Sequence, residues 1–274
     1  MDAQDDVTGT FKTARMDTGY RSAQYAWGFP GRHMQNPLIS RLEKHGPLSE
    51  EEKEVLQRIT ARTGVYEPRE EIVQEDSTPS HSSLILSGFA IRHNHLPDGR
   101  RQITAIHVPG DFADLHSFLL KKMDDGVAAL TTCRVASVAH RDLRGITQNF
   151  PYLTRALWLM TLIDGAVHRA WMTSLGRMDA RERLAHFLCE LRDRLEPVGL
   201  VKDNSYELPV TQAELSDAFG LSTVHVNRIL QELRSDGLIT STGRTLTIND
   251  WEGLQQIGQY DPGYLHADQK LERD

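Results

Sequence analysis

Arg228 lies in the most informative stretch of the chain, residues 210–233, among side chains whose types and order suit contact with another polymer. Thr211 can cap a helix whose apolar positions are Leu215, Ala218 and Phe219, and Gly220 then permits a left-handed turn. Ser222 caps a second helix, anchored at three- and four-residue spacing by Val226, Ile229, Leu230 and Leu233. That spacing leaves Thr223, Val224, His225, Asn227 and Arg228 outside the core, on the front turns of the second helix. A helix that enters a DNA major groove needs its readers there, with an arginine for a guanine edge. Thr211, Gln212 and Ser222 stand where hydroxyls and amides meet phosphates. Residues 237–248 read as two short strands joined at Gly243, a wing that carries Arg244 beside its turn. Asn249 and Asp250 open a last helix with Trp251, Leu254 and Ile257.

Charge works against this reading. Residues 179–250 hold eight Arg and Lys against twelve Asp and Glu, and the whole chain has a net charge of -7. Phosphate contacts ordinarily supply much of the affinity for DNA, so any such contact must be local. Two short helices joined by glycine also occur in many helical cores. The competing reading is therefore a protein-interaction module, in which an acidic winged domain and a degenerate sensor bind a partner protein rather than DNA.

The elements upstream have a different character. Residues 1–35 show no sustained period and read as an N-terminal extension. From Asn36, Leu38, Ile39 and Leu42 recur at helical spacing, and Ser49 before three glutamates opens a second helix. Between about residues 69 and 142, short Val, Ile and Leu stretches alternate with turn residues. Pro97-Asp98-Gly99 joins two of these strands as a hairpin. From Pro151 the period changes to 3.6, and Leu153, Leu157, Met160, Ile163, Val167, Ala170 and Trp171 form an apolar stripe on one long helix. A stripe of that length predicts a seam between two copies of the helix. Leu175-Gly176 breaks the helix in this reading, and Asp179 with Glu182 caps the next, so Gly176 to Asp179 is a hinge. The fold class is α+β: an antiparallel, jelly-roll-like β-roll with flanking helices over residues 36–150, then the long dimerisation helix and hinge over 151–178. A winged helix-turn-helix follows over 179–259, and a C-terminal tail over 260–274.

This order of parts resembles the Crp/Fnr family of bacterial transcription regulators. The resemblance covers about residues 36–250 and rests on Leu86-Ser87-Gly88-Phe89-Ala90, Pro109-Gly110-Asp111-Phe112, the strand 133–138, Asp179 and residues 211–239. It implies a homodimer, an effector pocket inside each roll, and a palindromic double-stranded operator read by the second helix of each motif. RNA polymerase is a further partner if the protein activates. The cyclic-AMP-binding branch carries a Gly-Glu pair and then an Arg-Ser pair after its Gly-Asp-Phe. Here that stretch is Ala113-Asp114-Leu115-His116, without a following Arg-Ser and with acidic Asp124 and Asp125 nearby, so cyclic AMP does not fit. The family's oxygen-sensing branch carries an N-terminal cysteine cluster for an iron-sulfur centre, and no cysteine precedes Cys133 here, so that cluster is excluded. Val224 replaces the glutamate common in the recognition helix, which removes a reader of cytosine. An effector in the roll would meet Asp114 and His116 and, from the long helix, His168 and Arg169.

Other constellations read more plainly. His93 and His95 alternate on a strand that should face solvent near its turn, and His107 and His116 follow, but no cysteine or clear carboxylate completes a ligand set. Glu70, Glu71, His93, His95 and His107 match no facial triad, and no nucleophile elbow, P-loop or dinucleotide fingerprint occurs, so an enzyme is not expected. Neither metal nor cofactor is expected. Cys133 and Cys189 sit in apolar periodic settings as buried thiols. No apolar run approaches the roughly 20 residues of a membrane span, and the acidic start is no secretory signal, which points to the cytoplasm.

Overall fold

Asn36 accepts a hydrogen bond from the Leu38 amide and so starts α1 (Pro37–Glu43), while Ser49 and Glu52 form a reciprocal capping box that starts α2 (Glu50–Ile59). The structure is a computed structural model and describes residues 36–273; the N-terminal extension read from the sequence lies outside them. After the two helices come β1 (Thr63–Tyr66), β2 (Glu71–Val73), β3 (His81–Ser87), β4 (Ala90–His95) and β5 (Arg101–His107). Then follow α3 (Ser117–Leu120), β6 (Gly126–Ala129) and β7 (Cys133–Ala139). These strands make two antiparallel sheets, ordered β1-β7-β3 and β2-β6-β4-β5, which are the two walls of the roll. The β4–β5 hairpin turns at Pro97-Asp98-Gly99, where Gly99 takes a φ of +84°. Its register slips at Arg92/His93, a bulge that re-aims both side chains.

The sequence reading passed over α4 (His140–Asn149), which packs against α5 (Pro151–Arg177). Helix α5 does not break at Leu175-Gly176. It runs through Gly176 to Arg177, and the chain turns at Met178, whose backbone is extended. Gly176 is exposed with open space around it, so nothing forces the helix to end there. Asp179 caps α6 (Ala180–Leu195) through a box with Glu182, as its sequence predicts.

The expected seam on α5 also differs. Leu153 and Leu157 pack with α1, α2 and α4, and Val167 and Trp171 enter the core shared with the C-terminal half. Met160, Ile163 and Ala170 are half-buried. The strongest stripe thus faces the chain's own body, because that face is the more completely enclosed. The outward apolar side chains are Trp158, Leu162, Met172 and Leu175.

Beyond α6 come β8 (Ser205–Glu207), α7 (Gln212–Phe219), α8 (Thr223–Ser235), β9 (Ile239–Thr242), β10 (Thr245–Ile248) and α9 (Trp251–Ile257). Strand β8, in a segment that reads as a loop or weak hairpin, joins the wing as the third strand of a β8-β10-β9 sheet. Its Tyr206 is buried and donates to the Leu188 carbonyl. The largest apolar cluster is continuous from Phe89, Ile91, Ile103 and Ile106 of the roll, through Val167 and Trp171, into α6, α7, α8 and the wing.

Polar contacts reinforce that join. Arg101 of β5 pairs with Asp217 of α7 at 2.8 Å, and Gln102 donates to the Ala218 carbonyl. Arg194 of α6 reaches Asp111 at 2.9 Å and Glu190 at 3.1 Å, and Arg41 of α1 meets the same Asp111. The Glu190 carboxylate, fully buried, also accepts from Trp171 and Tyr264. After α9 the chain passes a 3-10 turn and returns along the first two helices. There Leu271 donates to the His45 carbonyl and Arg273 pairs with Glu52.

Candidate nucleic-acid interface and roll interior

Helices α7 and α8 are built as their sequence dictates. Thr211 and Glu214 form a capping box, Gly220 ends α7 in the left-handed region at φ +63°, and the Ser222 hydroxyl accepts from the His225 amide. Val226, Ile229, Leu230 and Leu233 hold α8 in the core. Ser222, Thr223, Val224 and Arg228 are exposed, Val224 at 78%, while His225 and Asn227 are half-buried. Asn227 donates to Gln212 across the two helices at 3.1 Å, which orients both amides. Arg228 keeps 66% of its side chain exposed, with Glu232 3.8 Å away. Thr211 plays the capping role that its position suggests. Its hydroxyl accepts from the Glu214 amide and donates to the Glu214 carboxylate, so it serves the cap. Gln231, missed in the sequence, joins Gln212, Thr223, Val224, Asn227 and Arg228 around one shallow depression. The i, i+3 spacing from Arg228 was the available signal. Arg244 is exposed beside the wing turn.

Several acids of this half are held away from the front of α8, although Glu232 lies on α8 beside Arg228. Asp217 is paired to the roll, Asp236 to Arg181, and Asp193 and Glu196 to Arg192. Glu190 is buried and Glu214 is in its cap. A count along the sequence therefore overstates the negative charge that faces outward from α8.

Inside the roll the controlling residue is Arg92, which the sequence reading did not single out. It is 7% exposed and its Nε lies 3.1 Å from Asp125. Its Nη1 reaches Asp164 and His168 at 3.3 Å, and its Nη2 donates to the Ala113 carbonyl at 2.6 Å. Asp164 interrupts the apolar face of α5, and a carboxylate there demands a counter-ion; that was the signal. Burial pushes Asp114 up to about 6, against the pull of the Ser83 amide and Arg92. Burial likewise pushes Asp125 up to about 6, opposed by Arg92. Burial favours a raised Asp164 too, but Arg92, His107 and His168 outweigh it and the carboxyl lies below its ordinary range. Burial first, then Arg92, hold His107 well below the usual imidazole value and lower His116.

Of the four residues expected around an effector, Asp114, His116 and His168 therefore converge on this cluster. Arg169 does not, because it lies on the exposed side of α5. His93 is buried rather than solvent-facing, since the bulge turns it inward to Glu71 at 3.1 Å. His95 is exposed, 5.0 Å from the His93 ring. Cys133 and Cys189 are buried free thiols, both raised by desolvation.

Residues 64–150 match the family described as cyclic nucleotide-binding domain, and residues 182–257 match the Crp-like helix-turn-helix domain. The transcriptional activatory protein AadR of Rhodopseudomonas palustris is 31% identical over 200 residues, covering 71% of this chain and 78% of that protein. The chain belongs to the Crp/Fnr family of transcription regulators. The nitrogen fixation regulation protein FixK of Bradyrhizobium diazoefficiens is 30% identical, covering 61% of this chain and 68% of that protein. The solved structure of FixK2 from Bradyrhizobium japonicum superposes with a TM-score of 0.65 at 28% identity, covering 71% of this chain and 96% of that one. This Crp/Fnr chain is thus a DNA-binding regulator rather than an enzyme, and the interaction-module reading is not favoured. Its roll does not suit the ligand for which the matched domain is described. Asp125 and Asp164 already pair with the Arg92 guanidinium and Asp114 lies buried near it, so a cyclic phosphate at Arg92 would have to compete with carboxylates. Among the described residues, no helix of this Crp/Fnr chain is long and apolar enough to cross a membrane.

Proposed function

We propose that the protein acts in the cytoplasm as a homodimer that reads a palindromic operator, with the front of α8 in the major groove of each half-site. The exposure of that turn, with Asp217, Asp236 and Asp193 each paired away from it, carries the reading. Arg228 contacts a guanine edge, Thr223, Val224, His225 and Asn227 flank it, and Gln231 extends the surface. Ser222, Gln212 and Arg244 hold phosphates. The dimer seam is the outward face of α5, through Trp158, Leu162, Met172 and Leu175, because these large apolar side chains are exposed on one helix. Met178 and Asp179 carry the hinge. RNA polymerase is the further partner if the bound dimer activates.

Selection from a random duplex library with the purified, ligand-free protein tests the reading. It expects an enriched palindrome with half-sites about one helical turn apart. Leu162→Asp should yield a monomer by sedimentation and abolish the enrichment. A dimeric Leu162→Asp protein would overturn the seam, and no enrichment by the parent would overturn effector-free operator reading.

A further inference from the structure

The roll interior is short of positive charge. Asp125 acts electrostatically on Asp114 and is itself acted on by Asp124 and Asp164, so four carboxylates are linked around one guanidinium. Arg92 is engaged by Asp125, Asp164, His168 and the Ala113 carbonyl, its Nε in ion-pair contact with Asp125 but without a hydrogen bond, and imidazoles add no fixed charge. Among the enclosed polar atoms here that lack a hydrogen-bond partner are His116 Nε2, Asp125 Oδ1 and Asp114 Oδ2, alongside Arg92 Nε and His107 Nε2. Asp114 is entirely buried, and the Asp125 side chain is only 13% exposed. An imidazole nitrogen and carboxylate oxygens left unpaired together are ligand atoms without a ligand.

Their placement is specific. One ligand atom from each of His116, Asp124 and Asp125 lies within 4.8 Å of the other two. Atoms bound at about 2.0–2.2 Å to one ion lie at most about 4.4 Å apart, so a small side-chain closure completes the set. The backbone that presents them is pinned. Met123 is buried and exchanges hydrogen bonds with Asp76 and Ser77, and Asn94 donates to the Asp124 carbonyl. His116, which leads into α3, makes no side-chain hydrogen bond that an ion would have to break.

We propose that His116, Asp124 and Asp125 bind one divalent first-row transition ion per chain. One nitrogen and two oxygens suit manganese, iron, cobalt or zinc and leave open positions for water. The ion shares Asp125 with Arg92, so its arrival weakens that pair and leaves Arg92 to Asp164 on the long helix. The site stands apart from operator reading, because binding of the ion is measured without DNA.

The test titrates untagged, chelator-treated full-length protein with Co²⁺, followed by visible absorbance, and with Mn²⁺, followed by the loss of its free paramagnetic signal. One equivalent of each ion should bind saturably. His116→Gln and Asp124→Asn should each weaken binding at least tenfold, whereas His93→Gln should leave it unchanged. Asp124 is exposed, so its variant is expected to fold, and circular dichroism checks this. No saturable binding, binding unaltered in both site variants, or binding lost only in His93→Gln would overturn the proposal.

Discussion

Arg228 stands on the outer face of α8 with most of its side chain in solvent and its nearest carboxylate 3.8 Å away. Arg92 lies within the roll and engages two carboxylates, a histidine and a carbonyl. The two side chains have the same chemistry and opposite commitments. Arg92 holds the fold, and its charge is spent before any ligand arrives. Arg228 makes few contacts within the fold, and most of its side chain is left in solvent. One regulator thus carries one arginine open to solvent and another already occupied by its own side chains.

Removing Arg92 should give the largest effect. Arg92→Ala strips the buried Asp125 and Asp164 of their cation and should cost about 3–5 kcal/mol of stability in urea unfolding. A loss below about 1 kcal/mol would break the comparison. Arg228→Ala should leave stability within about 0.5 kcal/mol, yet cost about 1–3 kcal/mol of affinity for the selected duplex and relax one base position. Unchanged base preference would remove Arg228 as a reader. Arg101, half-exposed and paired with Asp217, is the intermediate case. Arg101→Ala should cost about 0.2–1 kcal/mol, measured as a small shift in the urea midpoint that shrinks at high salt.

The helix-turn-helix was legible in the sequence and the roll interior was only partly so, for a physical reason. Caps, a glycine turn and a helical stripe are local, and residues 210–233 state them in order. The Arg92 cluster joins β4 to the loop before β6 and to α5, and only the fold brings Arg92, Asp125 and Asp164 together. The bulge at Arg92/His93 also defeats simple alternation, which is why His93 reads as exposed and is buried. On α5 the strongest stripe marks burial, not which body does the burying, so the expected seam lay on the inner face. The acidic count misled in the same way, because pairing such as Asp217 with Arg101 has no sequence signature at a separation of 116 residues.

Met178 gives the molecule leverage. With Asp179 it makes two extended residues between two stiff rods, and the second of them, α6, has 16 residues. At 1.5 Å per residue α6 is about 24 Å long, so turning it about 10° at Met178 would carry its far end about 4 Å. That sweep exceeds the roughly 3.4 Å step between stacked bases. Arg194 rides near the far end, 2.9 Å from Asp111, and cannot follow such an arc without letting go. The Arg194–Asp111 pair, together with Arg101–Asp217, the Gln102 contact to Ala218 and the continuous apolar core, therefore resists that turn.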